Sequence, residues 1–334
     1  MSARGRLRVS ADDFHVTEVL GFEPQDDGPH ALVRIEKRGR NTLDMIASVA
    51  RHAGVRPRDV GYAGLKDRHA VTQQWITLPL DPARASACLA PDSGADGWRV
   101  VSLHRNQRKL KLGAHKQNRF RIVVRELDGD VTALRERLER VASEGVPNYF
   151  GSQRFGRDGD NLRRARRWFL DGVDLARRQR RFALSAARSW AFNRVLAARI
   201  TAGTWDSLLP GEPVCLDGSR SLFIPEPDDP DVFQRLDEQD VHPSGPLVGR
   251  GELPVTGECA RFEAAALDDL AWLIDGVSSQ GVKHERRALR LAVREFDYDL
   301  SSDALVLSFA LARGCFATAV VRELLDVVGE RLPG

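Results

Sequence analysis

The 334-residue chain carries only four cysteines, Cys88, Cys215, Cys259 and Cys315, and no two of them form a CxxC pair. That scarcity argues against a disulfide framework or a thiolate zinc site and fits a chain of the reducing cytoplasm. No stretch approaches the ~20 consecutive apolar residues of a membrane span. The opening MSARGRLRVSADDFHV has charges but no apolar core, so no secretory leader is expected. The usual cofactor signatures are missing as well. There is no GxxxxGK[ST] phosphate loop, no GxGxxG turn, no HExxH and no GxSxG nucleophile elbow. The histidines, at 15, 30, 52, 69, 104, 115, 242 and 284, are scattered without ligand spacing. A site free of metal and cofactor, or no site at all, is what these absences leave.

Acid is absent from one long stretch. Between His104 and Arg125, HRNQRKLKLGAHKQNRFRIVVR contains no Asp or Glu, although the whole chain has a net charge of only +3. Arg105, Arg108, Lys109, Lys111, Lys116 and Arg119 lie in it, and Arg154, Arg157, RRARR (163–167) and RRQRR (177–181) follow. Acids gather instead in PEPDDPDVFQRLDEQD (225–240). Such segregation creates a local positive field that attracts polyanions, and we name Arg105, Arg108, Lys109, Lys111, Lys116, Arg119 and Arg154 as candidate RNA-backbone contacts.

What is present reads as an ordinary globular chain, 42% hydrophobic and 29% charged, long enough for two domains. LRVSADDFHVTEVL, HALVRIEKRG, VGYAG, VTQQWITL and FRIVVREL carry strand patterns, and NTLDMIASVARHAG and DVTALRERLERVASEG carry helical ones. NLRRARRWFL, LSAARSWAFNRVLAARITAG and RFEAAALDDLAWLIDG predict helices around an irregular segment from about Thr204 to Glu258. ALRLAVREFDYDL and ALVLSFALARG then alternate as an antiparallel hairpin, and ATAVVRELLDVVG predicts a closing helix. Strands at both ends with a helical middle predict one α+β domain carrying an insertion. Without a sustained heptad or an exposed apolar helix, a monomer is expected.

Three places combine polar groups with unusual backbone demands. GYAGLKDRHAVTQQW (61–75) holds Lys66 and Asp67 side by side at a loop tip between two strands. A cation beside a carboxylate favours its charged form, and an ionised carboxylate on a loop is a feasible nucleophile. The same pair also suits a plain turn cap. VPNYFGSQRFGRDGDN (146–161) interleaves aromatic residues with Arg154 and Arg157, as single-stranded RNA sites do, and as a buried aromatic turn does too. ARGCFATAVVREL (312–324) turns from strand to helix with Phe316 at the corner, where pattern alone favours the core.

These segments, in this order, resemble the tRNA pseudouridine synthase D family. The resemblance rests on GYAGLKDRHAVTQQW, NYFGSQRFG, SAARSWAFN and FATAVVREL, with ADDFHVTEVLGFEP near the start and RKLKLGAHKQNRF ahead of the second motif. It covers nearly the whole chain. It implies conversion of a tRNA uridine, typically at position 13, to pseudouridine, with no cofactor and no metal, and with tRNA as the partner. The implied fold is a pseudouridine-synthase core of mixed or antiparallel sheet, formed by residues 1–173 and 291–334, with an insertion at 174–290. Carried over by position, Asp67 would be the catalytic carboxylate with Lys66 beside it. Phe14 and Phe316 would line the uracil pocket, Asn148 would hydrogen-bond the base or sugar, and Phe150 would shape the wall. Arg8 stands where the family is expected to have lysine, and the two cations differ in reach and geometry. The reaction must break the N1–C1′ bond, turn the base and rejoin it through C5. A carboxylate could attack C1′, add to C6, or accept a proton on a glycal route. An RNA-binding protein that keeps this fold without turnover is the alternative from another class.

Overall fold

The computed structural model describes residues 3–25, 27–89, 97–219, 221–226, 229–252 and 254–328. Residues 329–334, at the end of the expected closing helix and catalytic segment, lie outside the described residues, as do Arg220, Pro227, Asp228 and Leu253 of the irregular middle.

The chain begins with β1 (Ala3–Leu7), β2 (Phe14–Leu20), β3 (His30–Arg38), α1 (Thr42–Ala53), β4 (Gly61–Tyr62) and β5 (Val71–Leu78). It continues with α2 (Pro82–Cys88), β6 (Trp98–Asn106), β7 (His115–Gly129) and α3 (Val131–Glu144). The middle contains β8 (Val146–Pro147), α4 (Asp160–Asp171), α5 (Arg177–Thr201), β9 (Val214–Leu216), β10 (Leu222–Phe223) and α6 (Pro230–Asp237). After β11 (Val241–His242) and β12 (Ser244–Leu247) come α7 (Gly257–Ala266), α8 (Ala271–Ser279), β13 (Glu285–Ala288) and β14 (Arg290–Leu291). The last elements are β15 (Arg294–Leu300), β16 (Ala304–Ala312), α9 (Ala317–Leu324) and β17 (Asp326–Val328).

Two compact units result. Among the described residues, the first spans 3–142, 293–317 and 324–328, and the second spans 143–292 and 318–323. The division by packing falls at Ala142, because α4 and the turn before it pack on α5.

In the first unit a mixed sheet runs in the order β15-β16-β7-β2-β5-β3-β6, with β1, β17 and β4 added at its flanks. The only parallel pairs on these strands are β2 with β5 and β1 with β17 among the described residues. Alternation along β3 and β5 places Val33, Ile35 and Ile76 on one face, where Met45, Ile46 and Val49 of α1 and Trp98 complete a core. Such burial contributes about 1.5–3 kcal/mol per large side chain. The expected hairpin of β15 and β16 forms in antiparallel register, Tyr298 opposite Leu307. The expected single first strand is broken into β1 and β2 by a 3-10 turn at Ala11–Asp13. The closing helix stops at Leu324, since Asp326–Val328 leave the helix to pair with β1.

In the second unit α4, α5 and α8 share a core built largely from small residues, Ala165, Ala183, Ala187 and Ala191, with Leu273 and Val277. Gly276 of α8 permits this approach, since a Cβ there would lie 2.8 Å from that of Phe169. The expected helix RFEAAALDDLAWLIDG is split at Leu267 into α7 and α8. The irregular middle is held from inside by two buried ion pairs, Arg199 with Glu212 at 2.9 Å and Arg286 with Glu263 at 2.6 Å.

Candidate functional site

The loop between β4 and β5 is the best-anchored polar feature of the first unit. Its two flanking strands pair antiparallel, Gly61 opposite Thr77. Gly61 is required by space: a Cβ there would sit 2.7 Å from the Leu110 carbonyl oxygen. Gly64 is less constrained, since a Cβ there would make ordinary contacts with His115 and Lys66. The Ala63 carbonyl accepts from the Gly113 amide at 2.7 Å, and the Lys66 amide donates to Thr42 Oγ1 at 2.9 Å.

Lys66 and Asp67 then diverge. The Lys66 ammonium turns inward and pairs with Glu18 of β2, the two side chains being 5% and 0% exposed. The other Glu18 oxygen accepts from the Trp75 amide at 3.0 Å. Asp67 turns outward with its side chain 56% exposed. The expectation that Lys66, by proximity, is the cation that favours the charged Asp67 carboxylate is corrected: Glu18 captures the lysine. The cation at Asp67 is Arg8, whose Nη2 donates to Oδ2 at 3.2 Å.

Arg8 reaches that position from the turn after β1, where its φ of 56° is left-handed. Its guanidinium also lies over the Phe14 ring at 4.3 Å. Phe14 itself is buried, edge-on to Phe120 at 6.2 Å, with Phe120 next to Phe309. As it stands, Phe14 lies under Arg8 rather than on an open wall. Phe316 is not a core plug, contrary to the pattern-based expectation. It is 48% exposed beside Gly314, whose φ of 81° makes the corner.

Two further groups escape the sequence reading. Lys37 of β3 is fully buried, and its Nζ donates to the Asp67 main-chain oxygen at 2.7 Å. Burial pushes this ammonium down to about 8, with Lys66 adding to the fall and Asp67 opposing it. Strand alternation carried the signal, because Lys37 shares the inward face with Val33 and Ile35. His115 is buried at the start of β7; burial first, then Lys66, holds its imidazole below the usual range.

In the second unit, Asn148 is buried and both ends of its amide are engaged. Nδ2 donates to the Ala288 carbonyl at 2.9 Å, and Oδ1 accepts from Arg287 at 2.5 Å. Arg287 in turn lies over the Phe150 ring at 4.4 Å, and Arg154 approaches the same ring at 5.0 Å. Arg154 also donates to Ser185 at 3.0 Å, so it is drawn inward rather than displayed. Arg287 stands far along the chain, and no local motif announced it.

The basic stretch is partly neutralised by acids that other parts of the sheet and the start of α2 bring to it. Arg105 pairs with Asp81 at 2.7 Å, Arg119 grips Glu295 through two nitrogens, and Lys109 bonds the Arg58 carbonyl. Arg108, Lys111 and Lys116 remain exposed with no carboxylate partner among the described residues. Among the described residues no group of three or more His, Cys, Asp or Glu could hold a metal ion, and no helix is long and apolar enough to cross a membrane. The chemistry on offer is that of an accessible carboxylate beside a guanidinium, able to act as nucleophile or proton acceptor.

Known proteins give this geometry its context. The chain is 43% identical over 328 residues to tRNA pseudouridine synthase D of Methylococcus capsulatus, covering 98% of this chain and 92% of that protein. It is 45% identical over 340 residues to the protein of the same name from Xanthomonas campestris pv. campestris, covering 96% and 91%. A crystal structure of a Methanosarcina mazei protein assigned to tRNA pseudouridine synthase D superposes with a TM-score of 0.77 over 97% of this chain and 94% of that one. Its 20% identity carries the fold. The family profile described as tRNA pseudouridine synthase D (TruD) matches residues 2–165 and 171–324, and the chain therefore belongs to the tRNA pseudouridine synthase D family.

Proposed function

We propose that this chain isomerises a uridine of tRNA, the one at position 13, to pseudouridine, with Asp67 as the catalytic carboxylate and without cofactor or metal. The observation that carries this reading is the contrast within one loop. Lys66 is sealed against Glu18, while the Asp67 carboxylate stands 56% exposed with Arg8 beside it. A loop serving only as a turn has no need of buried anchors behind an outward carboxylate.

In this reading residues 1–173 and 291–334 form the catalytic domain, residues 174–290 form the family's insertion, and the chain works as a monomer in the cytoplasm, where tRNA is. A target uridine has to leave its stack, which costs a few kcal/mol. Phe316, an exposed ring of the same unit as Asp67, is the group assigned to offset that cost. Stacking of one base on an aromatic ring contributes about 1–3 kcal/mol.

The direct test is incubation of the purified chain with unmodified tRNA transcript in the presence of a chelator, with chemical mapping of pseudouridine. Product at position 13 is expected. Tight binding without product would favour an RNA-binding protein that has lost turnover.

Phosphate binding has its own signature. Arg108, Lys111 and Lys116 are exposed and, among the described residues, pair with no carboxylate. Joint reversal of Arg108 and Lys111 to Glu is expected to weaken tRNA binding. It should also flatten the slope of log K against log salt by roughly 0.7–0.9 for each phosphate no longer neutralised. The same reversal at Arg119, already held by Glu295, should change the slope little. Equal slopes in all variants would remove this stretch from the RNA interface.

A further inference from the structure

We propose that Lys37 is a positioning residue for this reaction: its buried ammonium holds the main-chain carbonyl of Asp67 and so fixes the direction in which the Asp67 carboxylate emerges. The proposal rests on the reading of Asp67 as the catalytic carboxylate.

Lys37 occupies a core position of an interior strand. Its neighbours across β3 are Thr72 of β5 and Trp98 of β6, and it is fully buried. A charged group placed there costs stability that Met or Leu would not. No carboxylate lies within ion-pairing distance of it among the described residues; its hydrogen-bond partner is the Asp67 carbonyl at 2.7 Å. The charged groups that bear on it come from the loop alone, Asp67 and Lys66. β5 and β6 face it with the uncharged Thr72 and Trp98, while its own neighbours Glu36 and Arg38 pair elsewhere, with Arg99 and Asp12.

The loop is thereby held at three successive points. Thr42 and Glu18 hold Lys66, Lys37 holds the Asp67 backbone, and Arg8 holds the Asp67 carboxylate. Of these, Lys37 alone acts on the backbone of the reacting residue from beneath. Exposed side chains bend readily, so aim has to come from the main chain. A displacement of about 1 Å at a reacting group is enough to cost roughly a hundredfold in rate.

The burial of Lys37 gives the proposal a measurable sign. Its ammonium is pushed down to about 8, so the grip weakens as pH rises through that value. Stability moves the other way. The unfolded chain keeps its proton up to about 10.4, so between these values the unfolded state binds more protons and folding becomes more favourable with rising pH. Rate should therefore fall over a range in which stability rises.

The test measures kcat and KM for tRNA between pH 6 and 9.5 in the wild type, Lys37→Met, Lys37→Arg and Asp67→Asn. Lys37→Met is expected to lower kcat by about ten- to a hundredfold with KM within about threefold, and to flatten the alkaline limb. Lys37→Arg is expected to recover part of kcat and to move the limb upward. An active Asp67→Asn would defeat the reading of Asp67 itself. An inactive Asp67→Asn with wild-type kcat and an unchanged alkaline limb in Lys37→Met would overturn the role of Lys37. Should Lys37→Met fail to fold, the comparison of wild type with Lys37→Arg decides: a limb near pH 8 that moves supports the proposal, and one that stays put overturns it.

Discussion

Asp67→Asn is expected to lower pseudouridine formation by at least roughly four orders of magnitude, equivalent to about 5.5 kcal/mol in barrier height, while tRNA affinity stays within about threefold. The substitution keeps size and hydrogen-bonding shape but removes the carboxylate and its negative charge. It should fold normally, because the loop is anchored by groups other than that carboxylate: the Lys66 amide on Thr42, the Lys66 ammonium on Glu18, and Lys37 on the main chain. Quantifying product from a saturating single-turnover reaction, alongside filter binding of the same tRNA, separates chemistry from affinity. An Asn variant within tenfold of wild type would show that another group performs the reaction.

The second large effect concerns stability. Glu18→Ala leaves the Lys66 ammonium, 5% exposed, without its carboxylate, and deprives the Trp75 amide of its acceptor. Breaking a buried pair by removing one partner costs about 3–5 kcal/mol, because the remaining charge stays desolvated. Removing both charges is a different matter. Glu18→Gln with Lys66→Met removes both charges while the Gln carbonyl keeps an acceptor for the Trp75 amide, so no desolvated charge is left unpaired. A urea midpoint that drops sharply in the single variant and largely recovers in the double is the expected result. If the single variant unfolds at the wild-type midpoint, the pair is open to water and the loop is held in some other way.

The two predictions separate the roles that one short motif combines. Lys66 and Asp67 are adjacent in sequence, yet one belongs to the interior and the other to the surface. Hence Lys66→Met by itself should resemble Glu18→Ala in stability, whereas Asp67→Asn should not.

Period and spacing made much of the architecture legible. The alternation in VTQQWITL and ALVLSFALARG, and the helical stripe of NTLDMIASVARHAG capped by Gly54, correspond to β5, β16 and α1. These elements are set by which residues lie two or three to four positions apart, a property of the local chain. DVV at the end patterns as helix but forms a strand, because its pairing with β1 is made across more than 300 positions. The acid-free stretch from His104 to Arg125 reads as basic, yet Asp81 at the start of α2, Glu295 of β15 and Asp13 before β2 neutralise three of its arginines, Arg105, Arg119 and Arg125.

From its residues alone this chain declared an α+β architecture, its family, and a lone aspartate at a loop tip as the place to look for chemistry. What surrounds that aspartate was decided by strand register. Arg8, Glu18 and Lys37 stand between 30 and 59 positions from the loop residue each one touches. Local patterning carries no information about which distant side chains share a face at the same height, because that follows only once strands have paired and the sheet has closed over its core.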